Sequence, residues 1–178
     1  MVGRMPANAT DSVLIRPARP ADLPVLGRLG AALARAHHEW DRRRFFVVPS
    51  MHEGYAWWLG RELKNRDAVV LAAERRGRVI GYAYGRLEER DWNALRDACG
   101  VAVDLIVEKR SRGLGAGRLL MDALLEALRE KGAPRVVLQA AAANKNAQGF
   151  FEALGFRPTM IEMTRECDSV GKSHTRKR

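Results

Sequence analysis

Two hydrophobic periods alternate along the chain, and they predict ten elements. VLIRPAR (Val13 to Arg19) alternates apolar and polar residues and carries β-branched side chains, which predicts a first strand. Pro20, Ala21 and Asp22 then open a helix to about Trp40, with Leu23, Leu26, Leu29, Leu33 and Ala36 on one face. DRRRFFVVPS breaks the pattern at Pro49. A second helix follows from about His52 to Lys64, with Tyr55, Trp58, Leu59 and Leu63 at helical spacing. In AVVLAAERRGRVIGYAYGRLEE two apolar runs flank ERRGR, a hairpin signal in which Gly77 supplies a positive φ.

After the charged loop RDWNALRD comes GVAVDLIV (Gly100 to Val107), apolar enough for a buried strand. Leu119, Leu120, Leu124, Leu125 and Leu128 then recur at helical spacing, and Lys131-Gly132 with Pro134 behind it ends that helix. VVLQAAA predicts another strand. NAQGFFEALGF predicts a short helix with Ala147, Phe150, Phe151 and Leu154 on one face, closed by Gly155, and TMIEMTRE a final strand. The order β-α-α-β-β-β-α-β-α-β implies an α/β fold with a mixed central sheet and helices on both faces. There is no internal repeat, low-complexity segment or linker, so a single domain is expected over 13–166. A flexible N-terminus over 1–12 and a basic flexible tail over 167–178 would flank it.

Length and charge narrow the class. At 178 residues the chain is long enough for one substantial core, since about 150 residues already hide roughly 70% of the unfolded surface. Two cysteines allow one disulfide at most, MVGRMPANAT has no apolar signal region, and no apolar run reaches the roughly 20 residues that span a membrane. A cytoplasmic protein with reduced thiols is expected. The net charge is +10, and removing the four cations of the tail GKSHTRKR leaves +6, a surplus that points to an anionic partner. Nucleic acid is disfavoured, because neither a helix-turn-helix nor an aromatic and basic strand face is present.

The anion has an obvious address. EKRSRGLGAGRLL places Gly113, Gly115 and Gly117 between the apolar strand and the long helix. Helix-terminal N–H groups without intrahelical partners, bare backbone and the flanking Arg110, Arg112 and Arg118 suit a pyrophosphate, although glycines also serve tight turns. A P-loop would need Lys-Ser/Thr after its last glycine, and Arg118-Leu119 stands there. A dinucleotide fingerprint would need a third glycine at Arg118 and an acid at the end of the next strand, where Gln139 and alanines stand.

Arg110-Ser111-Arg112-Gly113-Leu114-Gly115 resembles the acyl-CoA pyrophosphate loop of the GNAT superfamily of N-acetyltransferases, Gln/Arg-x-x-Gly-x-Gly/Ala. Downstream, NKNAQGFFEALGF resembles the family's Asn-x-x-Ala-x-x-Phe-Tyr-x-x-x-Gly-Phe, with Asn144, Ala147, Phe150, Gly155 and Phe156 in place. The two motifs lie one helix and one strand apart, as in the family, and the element order from Val13 to Glu166 is also similar.

The resemblance implies a GNAT-like fold, acetyl-CoA as cosubstrate, and acetyl transfer to a primary amine by direct attack in a ternary complex. The backbone of Ile106 and Val107 would pair with the pantetheine arm like an added strand. The N–H groups of Arg112, Gly113, Leu114, Gly115, Ala116 and Gly117 would hold the pyrophosphate, and Asn144 and Phe151 would lie along the cofactor slot. The central strand and the next one would splay to admit the thioester, and the N–H of Val107 or a neighbour would face its oxygen.

An alkyl amine with a pKa of about 10.4 needs a base at neutral pH, and Asp104 on the central strand is the candidate, with Glu88 and Glu89 as rivals. Phe151 stands where the family commonly has tyrosine, so it has no proton for the leaving thiolate; Tyr82 and Tyr84, on one face of the hairpin strand, are substitute acids. The first two helices and their junction, with His37, His38 and Trp40, would wall the acceptor site. No Cys/His spacing suggests a metal. The acceptor is a small-molecule or peptide amine, and a homodimer is common among similar proteins. A non-catalytic acyl-CoA-binding protein is the alternative that the Phe151 departure leaves open.

Overall fold

The computed structural model describes residues 12–167. The arm expected over 1–12 and the tail over 167–178 lie, but for one residue each, outside them. The chain divides into two compact units, Met1–Ala143 and Asn144–Arg178. The first holds β1 (Leu14–Pro17), a 3-10 turn at Pro20–Asp22, α1 (Leu23–Trp40), α2 (Met51–Glu62), β2 (Ala68–Arg75), β3 (Arg78–Glu88), β4 (Cys99–Val107), a 3-10 turn at Lys109–Ser111, α3 (Ala116–Glu130) and β5 (Val136–Leu138). The second holds α4 (Lys145–Glu152).

The sheet runs β1-β2-β3-β4-β5. The first three pairings are antiparallel and β4 with β5 is parallel, so the mixed sheet expected from the element order is present. One face carries α1 and α2, whose Leu26 and Leu59 close a core over Val70, Tyr82, Tyr84 and Ile106. The other face carries α3, whose Leu124 and Leu128 lie against Gly85 of β3. Arg16 ties the β1 end to both neighbours, reaching Asp22 at 2.7 Å and Glu74 at 2.8 Å. The helix expected from Pro20 accordingly starts as a 3-10 turn and becomes α-helical at Leu23.

Glycine lets α1 and α2 approach. A Cβ at Gly27 would lie 2.4 Å from the His52 carbonyl oxygen, and one at Gly30 would lie 2.3 Å from the Tyr55 ring. Alanine in a helix gains about 1 kcal/mol over glycine in propensity, whereas overpacking against backbone costs about 1–3 kcal/mol, so the clash wins. Gly27→Ala is therefore expected to lower Tm, by thermal denaturation; an unchanged or higher Tm would mean the helix pair is loosely docked.

The hairpin turn is Arg76-Gly77, with φ of 52° and 70°. This two-residue turn with both φ positive matches the sequence expectation for Gly77, but it also holds an arginine in a conformation that favours asparagine or glycine. Arg76→Asn is expected to gain about 1 kcal/mol and raise Tm by about 2–4 °C.

The final strand expected over TMIEMTRE is not formed. Residues 159–166 join no ladder among the described residues, and Met160, Ile161 and Met163 are 83, 82 and 90% exposed. β-type composition alone does not make a strand; a neighbouring backbone and a covered face do. β5 is likewise shorter than VVLQAAA, ending at Leu138. Cys99 is buried, Cys167 is exposed, and neither is in a disulfide. No helix among the described residues is long and apolar enough to cross a membrane.

Candidate functional site

The glycine segment leaves the sheet in a fixed sequence of turns. The Glu108 N–H still bonds the Ile80 carbonyl at 2.8 Å, then Ser111 N–H bonds the Glu108 carbonyl at 2.8 Å and closes the 3-10 turn. Gly113 and Gly115 follow at φ of 80° and 77°, and a Cβ on either would meet nothing within 4 Å. Backbone conformation and open approach, not packing, require glycine here. Gly115 caps α3, and the first helical bond runs from Leu119 N–H to its carbonyl at 3.1 Å. The N–H groups of Ala116, Gly117 and Arg118 thus lie at the positive end of a helix with no acceptor within it. Gly117 belongs to the first helical turn, and the Ala116 side chain is buried, anchoring that end. Leu114 is exposed at the loop tip. Arg112 Nε donates to the Val107 carbonyl at 3.2 Å, and Arg110 pairs with Glu108 at 3.0 Å.

The same strand end is open on its other side. β5 pairs with β4 only from Gly100 to Ala102, while β4 runs on to Val107. Beyond Ala102 no strand among the described residues pairs with this side of β4. In an antiparallel ladder backbone groups point to alternate sides, and Glu108 bonds Ile80 on β3. Ile106, opposite Tyr82, therefore directs its backbone groups to β3, and Leu105 and Val107 direct theirs to the open edge. Of the two residues expected to pair with the pantetheine arm, Val107 thus turns its backbone groups to the open edge, together with Leu105, while Ile106 turns its own to β3. The register of the hairpin was needed to see this.

A bulge decides where the carboxylate goes. Tyr84 lies opposite Asp104, but Gly85 lies opposite Ala102, so Val103 is an extra residue in β4. Ala102 consequently shares the face of Gly85 toward α3, and Asp104 shares the face of the two tyrosines toward α1 and α2. Tyr82 Oη donates to Asp104 Oδ2 at 2.8 Å. Both are buried, Asp104 at 8% exposure and Tyr82 at 0%. Burial pushes the Asp104 carboxyl up from the usual range, while the Tyr82 hydrogen bond and nearby His37 pull against it. Burial and the adjacent Asp104 hold the Tyr82 phenol well above its usual value. Tyr55 of α2 is pushed up to about 12 by burial and by Asp104.

Tyr84 serves a different acid. Its Oη donates to Glu62 Oε2 at 2.8 Å, and Trp58 stands edge-on to its ring at 4.8 Å. Burial and Glu62 raise its pKa. Glu62 was not singled out in the sequence, yet it lies four residues after Trp58 on one helix face, a spacing that could have flagged it. The rival Glu88 is engaged elsewhere: burial opposes its ionisation, but Arg86 and Arg96 hold it below its usual range. Glu89 is exposed. His37 and His38 bond the Leu33 and Phe45 carbonyls through Nδ1 at 2.9 and 2.7 Å, and the His37 ring stacks edge-on with Trp40 and Phe45. Among the described residues no group of three or more His, Cys, Asp and Glu could hold a metal.

In the second unit, the Asn144 side chain accepts from Ala147 N–H at 3.1 Å and caps α4. Phe151 stacks edge-on with Phe150 and Phe156 at 5.4 and 5.9 Å, and Gly155 ends the segment at φ 90°. The motif residues thus have local structural work of their own.

A model of the acetyltransferase (GNAT) family matches residues 33–156. A mycothiol acetyltransferase of Thermomonospora curvata is 30% identical over 119 residues, which are 63% of this chain and only 38% of that protein. An L-methionine sulfoximine/L-methionine sulfone acetyltransferase of Pseudomonas aeruginosa is 27% identical over 168 residues, covering 93% of this chain and 89% of the relative. Among solved structures, a tetramutant of the BH1408 protein of Bacillus halodurans superposes with a TM-score of 0.76 at 20% identity, covering 86% of this chain and 99% of the other. A predicted acetyltransferase with acetyl-CoA from Clostridium acetobutylicum gives 0.68 at 16% identity, covering 90 and 99%. With most of its length matched by the family model and its fold shared by these structures, the chain belongs to the GNAT family of acetyltransferases.

Proposed function

We propose that this acetyltransferase moves an acetyl group from acetyl-CoA to a primary amine by direct attack, with Asp104 as the base. The observation that carries the reading is the continuity of two features: the open β4 edge at Leu105 and Val107 runs directly into a positive-φ glycine loop at a helix N-terminus. A polyamide arm ending in a pyrophosphate needs these two surfaces in this order. Acetyl-CoA, when bound, supplies the activated acetyl group.

The chain's own residues do the rest. Leu105 and Val107 orient the arm through backbone bonds, and the amides from Arg112 to Gly117 neutralise the pyrophosphate. Asp104 takes the proton that the amine loses as its nitrogen bonds to the acetyl carbon and the C–S bond breaks. Tyr82 holds that carboxylate, its hydroxyl hydrogen already committed to a bond with Asp104, so it is a positioning residue and not an acid. Tyr84 is likewise committed to Glu62, and Phe151 has no proton to give. The thiolate, with a pKa of about 8.5, is a tolerable leaving group and takes its proton from solvent. The acceptor is a small-molecule or peptide amine entering beside α1 and α2, whose residues His37 and Tyr55 interact electrostatically with Asp104.

Calorimetric titration with acetyl-CoA, CoA, NAD and ATP tests the first half. Selective micromolar binding of the CoA compounds is expected, and preference for NAD or ATP overturns the reading. Thiol release from acetyl-CoA across a panel of amines tests the second. Binding without amine-dependent thiol release would leave an acyl-CoA-binding protein.

A further inference from the structure

A proton taken up by Asp104 has to be passed on before the next turnover, and the side chain is only 8% exposed, with Tyr82 beside it fully buried. Three titratable side chains surround it. Tyr82 of β3 donates to it at 2.8 Å, and Tyr55 of α2 and His37 of α1 lie within electrostatic reach. The two phenols cannot take the proton, because burial and Asp104 hold both above the usual tyrosine value and each keeps its own hydrogen at neutral pH. That leaves the imidazole.

The fold fixes the attitude of that ring. Leu26, Leu29 and Leu33 form the stripe of α1 that covers Tyr82 and Ile106, and His37 continues the stripe one turn beyond Leu33. Its Nδ1 lies 2.9 Å from the Leu33 carbonyl oxygen. A carbonyl only accepts, so Nδ1 carries the hydrogen and Nε2 of the neutral ring keeps a lone pair. Trp40 and Phe45 stand edge-on to the ring at 5.0 and 4.9 Å. His37 is half-buried, so it links the covered face of the sheet to solvent. The other charged groups around it have contacts of their own: His38 bonds the Phe45 carbonyl, the Arg44 guanidinium lies over the Phe45 ring at 5.0 Å, and Asp41 accepts from the N–H groups of Arg43 and Arg44.

We propose that His37 is the outlet for the proton that Asp104 removes from the amine, an inference that rests on Asp104 being the base. The amine N–H bond breaks and an O–H bond forms on Asp104. Asp104 and His37 are not hydrogen-bonded to each other, so a solvent water relays the transfer, taking the carboxyl proton as it gives one of its own to Nε2. The carboxylate is restored, and the imidazolium releases its proton to bulk solvent. His37 thus acts through Asp104 and not on the reacting atoms.

His37→Asn tests this, since the asparagine amide still offers an N–H to the Leu33 carbonyl; His37→Gln replaces it should Tm fall. One readout needs no amine substrate. The Asp104 carboxyl carbon resonance, assigned by its loss in Asp104→Asn, is followed against pH, and its midpoint should rise by about half a pH unit or more once the neighbouring cation is gone. Identical midpoints overturn the proposal. The other readout is amine-dependent thiol release. The variant should lose about tenfold or more in kcat, with KM for both substrates within about twofold, and added imidazole should restore kcat by about threefold or more. An undiminished kcat overturns the proposal, as does a loss that imidazole leaves unchanged. Asp104→Asn in the same assay separates the two readings: normal turnover there removes the base, whereas slow turnover there with normal turnover in His37→Asn removes only the outlet.

Discussion

Asp104→Asn is expected to lower amine-dependent turnover by about 10²–10³-fold, the range in which a positioned general base contributes, while leaving acetyl-CoA affinity within about twofold. Asparagine keeps an oxygen for the Tyr82 hydroxyl, so the hydrogen bond and the packing survive, and only the basicity goes. The pH dependence gives the second reading. With Asp104 as the proposed base, activity would require its ionised form, and burial sets its pKa above the usual range, so the acidic limb of kcat/KM should fall at higher pH than for a solvated aspartate and be missing in Asp104→Asn.

Stability should move in the opposite direction. A carboxyl whose folded pKa is raised binds more protons when folded, so its contribution is fully present below the ordinary aspartate value of about 3.9 and is lost as pH rises through the folded value. Asparagine carries no such dependence. At neutral pH the variant should be slower and at least as stable. A stable variant with normal turnover and an unchanged acidic limb would remove Asp104 from the reaction.

Gly115→Val is the second large effect. A β-branched residue at φ 77° is strained by about 1–2 kcal/mol, and its side chain would stand where a phosphate must approach. Losing two amide contacts to a charged group, at about 1.5 kcal/mol each, gives roughly a hundredfold weaker acetyl-CoA binding. Gly132→Val is the matched control, since Gly132 has φ 94° past the other end of α3, about 22 Å away along a 15-residue helix. Equal losses of Tm with a loss of affinity only in Gly115→Val are expected by calorimetry. If both variants bind acetyl-CoA normally, the amides at this helix end do not hold the pyrophosphate.

Patterns that are local in the chain were legible before the fold was seen. The hairpin showed itself through ERRGR, the loop through its glycines, and α3 through five leucines at helical spacing, because each is fixed by neighbours a few residues away. What depended on register was not legible. GVAVDLIV is apolar on both faces, so nothing in its alternation marks the slip at Val103 or predicts which residues turn to the open edge. The pairing of Tyr82 with Asp104, and of Tyr84 with Glu62, follows only once β3 is set against β4 and α2 is laid over both. Thr159 to Glu166 erred in the other direction: its composition suits a strand, but a strand also needs a partner that sequence cannot supply.

The bulge in β4 implies an uneven tolerance to change. Val103 is half exposed, and its side chain places little demand on the fold, so many residues should serve in its place. Its place outside the ladder is another matter. Were Val103 taken up as a regular ladder residue opposite Tyr84, the carboxylate would move one step along the strand and turn away from Tyr82 toward the leucines of α3. At this position the irregularity of the ladder, more than the identity of the residue, decides which way the carboxylate points.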